Sequence, residues 1–160
     1  ELVPRVRNGA ADAVASEAFV IAAELELRSI RAALDDAAGG GDGRQAATEA
    51  HCARTNLEGA LASLEDPSLA SLCGAQTCSD LLLALLDRAE EHGEWELLMR
   101  AARALDTLTR ERVALERQRG RRGSLRHFDV ELAASVSAEA AGLNGLGRTD
   151  EAAALVRRKR

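Results

Sequence analysis

Apolar residues recur every three or four positions through most of the chain, which is the spacing of one face of an α-helix. A first helix is expected over 12–38, with Asp12 as its N-cap. Its apolar residues fall into two stripes, Val14-Ala18-Ile21-Leu25 and Leu27-Ile30-Leu34. Because the stripes are rotated from one another, we expect this helix to pack against neighbours on more than one side.

Glycine- and proline-containing breaks set off the next elements. The glycines of 39–43 end the first helix in a loop, and a second helix is expected over 44–64. Its buried face is predicted to comprise Ala50, Ala53, Leu57, Ala60, Leu61 and Leu64. Asp66 and Pro67 stop this helix and open a short one, which ends at Gly74.

The longest helical patterns lie in the middle of the chain. A third helix begins near Thr77 or Ser79, either of which can cap it, and buries residues 81–86 (LLLALL). Gly93 ends it, and a fourth helix is expected over 94–118, its last part carried by charged residues. The apolar face of this fourth helix is Leu98, Ala101, Leu105 and Leu108.

The last forty residues contain a basic loop and two further helices. The loop spans 119–127 (RGRRGSLRH), and Asp129 then caps a helix that extends to Leu146. Gly147 turns the chain, and Thr149 caps the final helix. The whole chain is therefore predicted to be all-α, with antiparallel helical hairpins forming a short α-solenoid behind a long N-terminal helix pair.

We divide the chain into three parts. Residues 1–10 form an extended lead-in, and residues 11–76 form an N-terminal helical hairpin with a short helix. Residues 77–160 form helical-hairpin repeats, into which the basic loop is inserted.

Two C-terminal segments share one pattern of helix, glycine, short polar turn and helix. They are LLDRAEEHGEWELLMRAARAL (85–105) and AEAAGLNGLGRTDEAAALVRRKR (138–160), aligned on Gly93 and Gly147. The two glycines are separated by 54 positions, whereas a helical-hairpin repeat is roughly 34 residues long. A charged insert between the hairpins accounts for the excess.

These segments resemble the tetratricopeptide and pentatricopeptide repeat families. GLNGLGRTDEAAALVRR (142–158) carries the resemblance best, and HGEWELLMRAARAL (92–105) is similar to the pentatricopeptide turn with glycine, an acidic residue and tryptophan. The resemblance implies either a groove that binds protein segments or single-stranded RNA read at one base per repeat. The positions that match a pentatricopeptide base reader hold Ala84 and Ala138, whose methyl groups cannot hydrogen-bond to a base.

Composition supports a helical interaction protein. Aromatic residues make up 2% of the chain, so a core of Leu, Ala and Val is expected. The net charge of −5 gives no overall basic field of the kind that proteins gripping nucleic acid usually have. No apolar run approaches the roughly 20 residues of a membrane span.

Little in the chain points to catalysis or to a bound metal. Four residues separate Cys73 from Cys78, which is the loose edge of the usual zinc-ligand spacing, and His51, Cys52 and His92 supply no matching second pair. The pair Glu91-His92 is better explained as a helix end than as an acid–base site. We expect no enzyme activity and no cofactor, and three dispersed cysteines suggest a reducing compartment.

Positive charge is nevertheless clustered at two places. Contacts to partner proteins or to RNA phosphate are expected from Arg117, Arg119, Arg121, Arg122, Arg126, Arg157, Arg158 and Lys159. Trp95 is expected to wedge between hairpins as a structural anchor, with anchoring to a partner as the alternative.

The sequence therefore predicts a non-catalytic helical-repeat scaffold, an interaction subunit of a larger assembly such as a ribosome or a respiratory complex. The chain begins with Glu1 and not with Met, which suggests either a mature form after removal of a presequence or a fragment. Together with the family resemblance, this favours an organellar location, the mitochondrial matrix above all. An RNA-binding pentatricopeptide-type protein is the alternative.

Overall fold

The computed structural model describes residues 28–35, 46–66, 73–120 and 126–159. All regular secondary structure within these ranges is helical, which confirms the all-α prediction. The helices are α1 (residues 28–35), α2 (Ala46–Leu64), α3 (Ala75–Glu91), α4 (Trp95–Gln118), α5 (Arg126–Gly145) and α6 (Thr149–Lys159).

Several expected features lie outside the described residues. They are the lead-in at 1–10, the start of the first helix at Asp12 with its first apolar stripe, the glycine-rich loop at 39–43, the short helix after Asp66-Pro67, and Arg121 and Arg122.

Two helices begin earlier than the sequence predicted. The α3 helix begins at Ala75, after Gly74 with a φ of 86°, and no side chain caps it, so the capping roles of Thr77 and Ser79 were wrong. The α5 helix begins at Arg126, so Asp129 lies in its first turn and not at its N-cap. An acidic residue there still interacts favourably with the helix dipole.

Each helix from α2 to α6 packs against others that are close to it in chain order. α3 contacts α2, α4 and α5; α2 also contacts α4, and α5 contacts both α4 and α6. The α4–α5 interface is the most extensive of these. Short turns join α3 to α4 and α5 to α6, so each of these pairs is an antiparallel helical hairpin.

The core is aliphatic, as the composition predicted. Its side chains come from α1 to α5, and the expected apolar faces of α2, α3 and α4 all contribute to it. They include Ile30, Leu34, Leu57, Leu61, Leu82, Leu85, Leu98 and Leu105. A smaller apolar cluster of Met99, Leu143, Ala152 and Leu155 joins α4, α5 and α6.

The turns at Gly93 and Gly147 have the same backbone structure. Both glycines have a positive φ, 67° and 75°, which L side chains rarely adopt. In each turn the glycine N–H donates to the carbonyl three residues back, at 3.0 Å and 2.9 Å. The next N–H donates to the carbonyl five residues back, at 2.9 Å and 2.8 Å. Both turns are therefore Schellman motifs that end the preceding helix.

Trp95 lies against glycines of α5. A Cβ atom added to Gly145 would overlap the indole ring, and one added to Gly142 would lie 3.0 Å from the carbonyl oxygen of Trp95. The first turn of α4 therefore approaches α5 more closely than any side chain at positions 142 or 145 would permit. Trp95 fills the space at this crossing and also borders the main core.

This close approach predicts a difference between two glycine substitutions. Gly145→Ala is expected to lower the free energy of unfolding by about 1–3 kcal/mol, because its methyl group overpacks the indole. Gly59→Ala, on α2 where a Cβ meets nothing within 4 Å, is the matched control. It is expected to raise the free energy of unfolding by about 0.5–1 kcal/mol. Urea denaturation measures both, and equal midpoints for the two variants would contradict the packing described.

Candidate functional site

The most buried polar feature joins α3, α4 and α5 around one guanidinium, and we call it the Arg112 cluster. Arg112 Nη1 donates to both carboxylate oxygens of Glu131, at 2.8 Å and 3.0 Å, and lies 2.6 Å from Ser79 Oγ. Its Nη2 donates to Gln76 Oε1. Thr109 Oγ1 donates to Glu131 Oε2 at 2.8 Å. The cluster comprises these five residues.

Both charges of the cluster are almost fully removed from solvent. The side chain of Arg112 is 11% exposed and that of Glu131 is 7% exposed. The guanidinium carbon also lies 4.8 Å from the centroid of the Phe128 ring, within cation–π distance. Among the described residues, no buried side-chain nitrogen or oxygen lacks a hydrogen-bond partner. The cluster thus meets the condition under which a buried ion pair is tolerated.

Beside this cluster lies a surface that we call the basic corner, formed by Arg117, Arg119 and Arg126. The first two end α4 and the third opens α5, and all three are exposed. Arg119 approaches Glu116 at 3.4 Å, whereas Arg117 and Arg126 make no ion pair within the described ranges. Three of the predicted contact residues thus lie at the end of α4 and the start of α5, two helices that pack against each other.

The C-terminal arginines lie elsewhere. α6 has 11 residues and folds back along α5, which has 20. Arg157 and Arg158 are therefore level with the middle of α5, away from the basic corner. Both are exposed, and Lys159 is the last residue of α6. The predicted contact residues thus divide into two separate patches.

An open groove of about 660 Å³ runs along α4 between the end of α2 and the start of α3. We call it the α4 groove. Its apolar lining comprises Leu64, Ala75, Leu82, Ala104, Leu108 and Leu115. An ion pair of 2.8 Å between Glu65 and Arg100 places the end of α2 level with the first half of α4. The rest of α4 extends past α2, and Leu115, half-exposed, lines the groove in that part.

The two positions that match base readers are not equivalent in space. Ala84 is exposed on α3, whereas Ala138 is 8% exposed and lines a small groove between α3 and α5. Asp87 and Glu90 also line this groove and make no ion pair among the described residues. Two acidic residues without a cationic partner disfavour the approach of RNA phosphate to this face.

The cysteines and histidines form no obvious metal site. The described ranges contain no group of three or more His, Cys, Asp or Glu side chains placed to hold a metal ion. Cys52 is exposed, Cys73 is half-buried and Cys78 is buried. Burial raises the pKa of the Cys78 thiol, and the neighbouring Cys73 adds to the increase.

The Arg112 cluster was not predicted from the sequence. The sequence pattern places the end of α4 in a charged insert and offers Ser79, like Thr77, as a helix cap. One available signal was Glu131, which shares a helix face with Phe128, Ser135 and Ala138, all of them buried. A single acidic residue on such a face indicates a buried partner.

Comparison with protein-family models, with curated protein sequences and with solved structures gave no match. In the part of the chain that is described, no helix combines the length and the apolar character needed to cross a membrane.

The three thiols are predicted to differ in reactivity. The thiolate is the reactive form, so a raised pKa leaves Cys78 mostly protonated at about pH 8, and burial also denies reagents access to it. Native protein treated with iodoacetamide should be labelled at Cys52 first and at Cys78 only after unfolding in urea. Peptide mass spectrometry measures this order, and equal labelling of the two in the native state would contradict it.

Proposed function

We propose that this chain is a non-catalytic helical-repeat scaffold, an interaction subunit of a larger assembly, with an organellar matrix such as that of the mitochondrion as its setting. The observation that carries the proposal is the α4 groove. It is open, mainly apolar, and lined by the part of α4 that extends past α2. Apolar grooves beside a helix are typical binding sites for segments of partner proteins.

The repeat arrangement is supported by the order of helix contacts. Among α2 to α6, contacts join helices that are close in chain order, as in a solenoid whose units stack in sequence. The common hydrogen-bond pattern of the turns at Gly93 and Gly147 supports two related hairpins, α3–α4 and α5–α6. This is the type of architecture found in the tetratricopeptide and pentatricopeptide families.

The mechanism is one of shape and charge. Packed hairpins hold α4 rigid, the α4 groove receives apolar side chains of a partner protein, and the basic corner pairs with acidic side chains of that partner. The Arg112 cluster supports this because it fixes the end of α4 and the start of α5, from which the basic corner projects. Arg157 and Arg158 form a second, independent contact.

RNA binding is the second candidate, and the exposed arginines of the basic corner favour it. Arg117 and Arg126 are exposed cations that could each neutralise a phosphate. Against it stand the net charge of −5, Ala84 and Ala138 at the reader positions, and the acidic residues of the α3–α5 groove.

A charge reversal at the basic corner separates the two candidates. The variant Arg117→Glu/Arg119→Glu/Arg126→Glu is compared with Arg157→Glu/Arg158→Glu, which alters the other basic patch. If the chain is a scaffold, the first variant should no longer co-fractionate with the large native particle. The wild-type particle should survive treatment with ribonuclease. If the chain binds RNA, the slope of log affinity for single-stranded RNA against log salt concentration should become less steep by roughly 2 in the first variant, because three phosphate contacts are lost.

The outcomes are distinct. A particle that collapses after ribonuclease favours RNA binding over the protein scaffold. A triple variant that retains both its particle and its RNA affinity would remove the basic corner from either function.

A further inference from the structure

The α5 helix is fixed at two places that differ in chemistry. At its C-terminal end, Gly142 and Gly145 pack directly on the first turn of α4. Towards its N-terminal end, Glu131 enters the Arg112 cluster. Between these points the buried residues are Ser135 and Ala138, both small.

The N-terminal half of α5 buries little apolar surface. Over residues 126–138, Phe128 is the only large apolar side chain that is fully buried, and Val130 is 69% exposed. The C-terminal half adds Leu143, which packs with Met99, Ala152 and Leu155 in the second apolar cluster. A segment with few buried apolar contacts opens more easily than one with many. The N-terminal half of α5 therefore depends more heavily on the hydrogen bonds that Glu131 makes in the Arg112 cluster.

That polar attachment has one essential member on α5. Glu131 accepts hydrogen bonds from Arg112 and Thr109 of α4 and lies 3.5 Å from Ser79 Oγ of α3. Without the carboxylate, Arg112 keeps its charge in a site that is 11% exposed and has lost its counter-ion. An unpaired buried charge is strongly unfavourable: Nη1 of Arg112 loses both carboxylate acceptors, and only Nη2, on the side of the α4 groove, keeps its bond to Gln76.

We propose that the Arg112–Glu131 pair is a releasable clamp on the N-terminal half of α5. When the carboxylate is removed, residues 126–138 separate from α3 and α4, while Gly142 and Gly145 remain docked on Trp95 and Met99. Release exposes the hydroxyl groups of Ser79 and Thr109 and widens the α3–α5 groove. The clamp is a property of the fold and holds whether or not the chain is a scaffold.

Hydrogen exchange followed by mass spectrometry on the full chain tests this directly. Glu131→Ala is expected to speed exchange of amides in 126–138 by roughly 100-fold, as for a lost buried ion pair, with little change in 139–147. Glu139→Ala is the matched control, because Glu139 also joins α5 to α4, through an ion pair of 2.8 Å to Arg103, which is 60% exposed. It should leave exchange in 126–138 unchanged.

Trp95 supplies a second readout. It is the only tryptophan of the chain and it lies at the glycine end of α5, so its fluorescence should be the same in Glu131→Ala and in the wild type. A milder variant, Thr109→Val, removes one hydrogen bond to Glu131. Its hydrogen exchange should increase less than in Glu131→Ala, and only in residues 126–138.

Three results would overturn the clamp. They are an equal increase of exchange along the whole chain in Glu131→Ala and Thr109→Val, no increase in residues 126–138 of Glu131→Ala, and a shift of Trp95 emission in either of these two variants. The first would make the pair a contributor to global stability only. The second would mean that Phe128 and its neighbours hold α5 without it.

Discussion

The buried carboxylate of Glu131 imposes the arrangement of α3, α4 and α5. A charge in that position is tolerated only where a guanidinium and further donors surround it, and here these come from two other helices. Meeting this condition requires α4 to extend far enough for Arg112 to lie beside Glu131. It also requires α3 to begin early enough to bring Gln76 and Ser79 to the same place. The length of α4 past the end of α2, and hence the α4 groove, follows from that requirement.

A second constraint comes from the scarcity of large side chains. With so few aromatic residues, the hairpins are joined by close approach of small residues and by one large ring placed where glycines make room. An added methyl group disturbs packing of this kind, because no flexible side chain lies between the two helix backbones that could move to make room for it. The crossing of α4 and α5 at Trp95 is therefore defined by shape, whereas the other end of the same interface is defined by charge.

Local signals in the sequence predicted the helices well and their polar contacts poorly. The leucine spacing of α3 and α4 and the glycines at 93 and 147 determine structure within a few residues, so they could be read from the chain. Ser79, Arg112 and Glu131 are separated by tens of residues, and each has an ordinary local role available to it, as a cap or as part of a solvated face. Only the packing of three helices decides that Ser79 lies inside the cluster and is not an N-cap. The same limit explains Ala84 and Ala138, which match in the repeat alignment but differ in burial.

The two hairpins are thus alike at their turns and unlike on their surfaces. On the first hairpin Ala84 is exposed, whereas Ala138, at the aligned position of the second hairpin, is 8% exposed. A chain that read a regular ligand at one unit per repeat would need equivalent positions on successive hairpins. The α4 groove and the two separate basic patches are better suited to a single partner surface of matching shape. The inequality of the hairpins therefore favours a scaffold over a repeat-by-repeat reader of RNA.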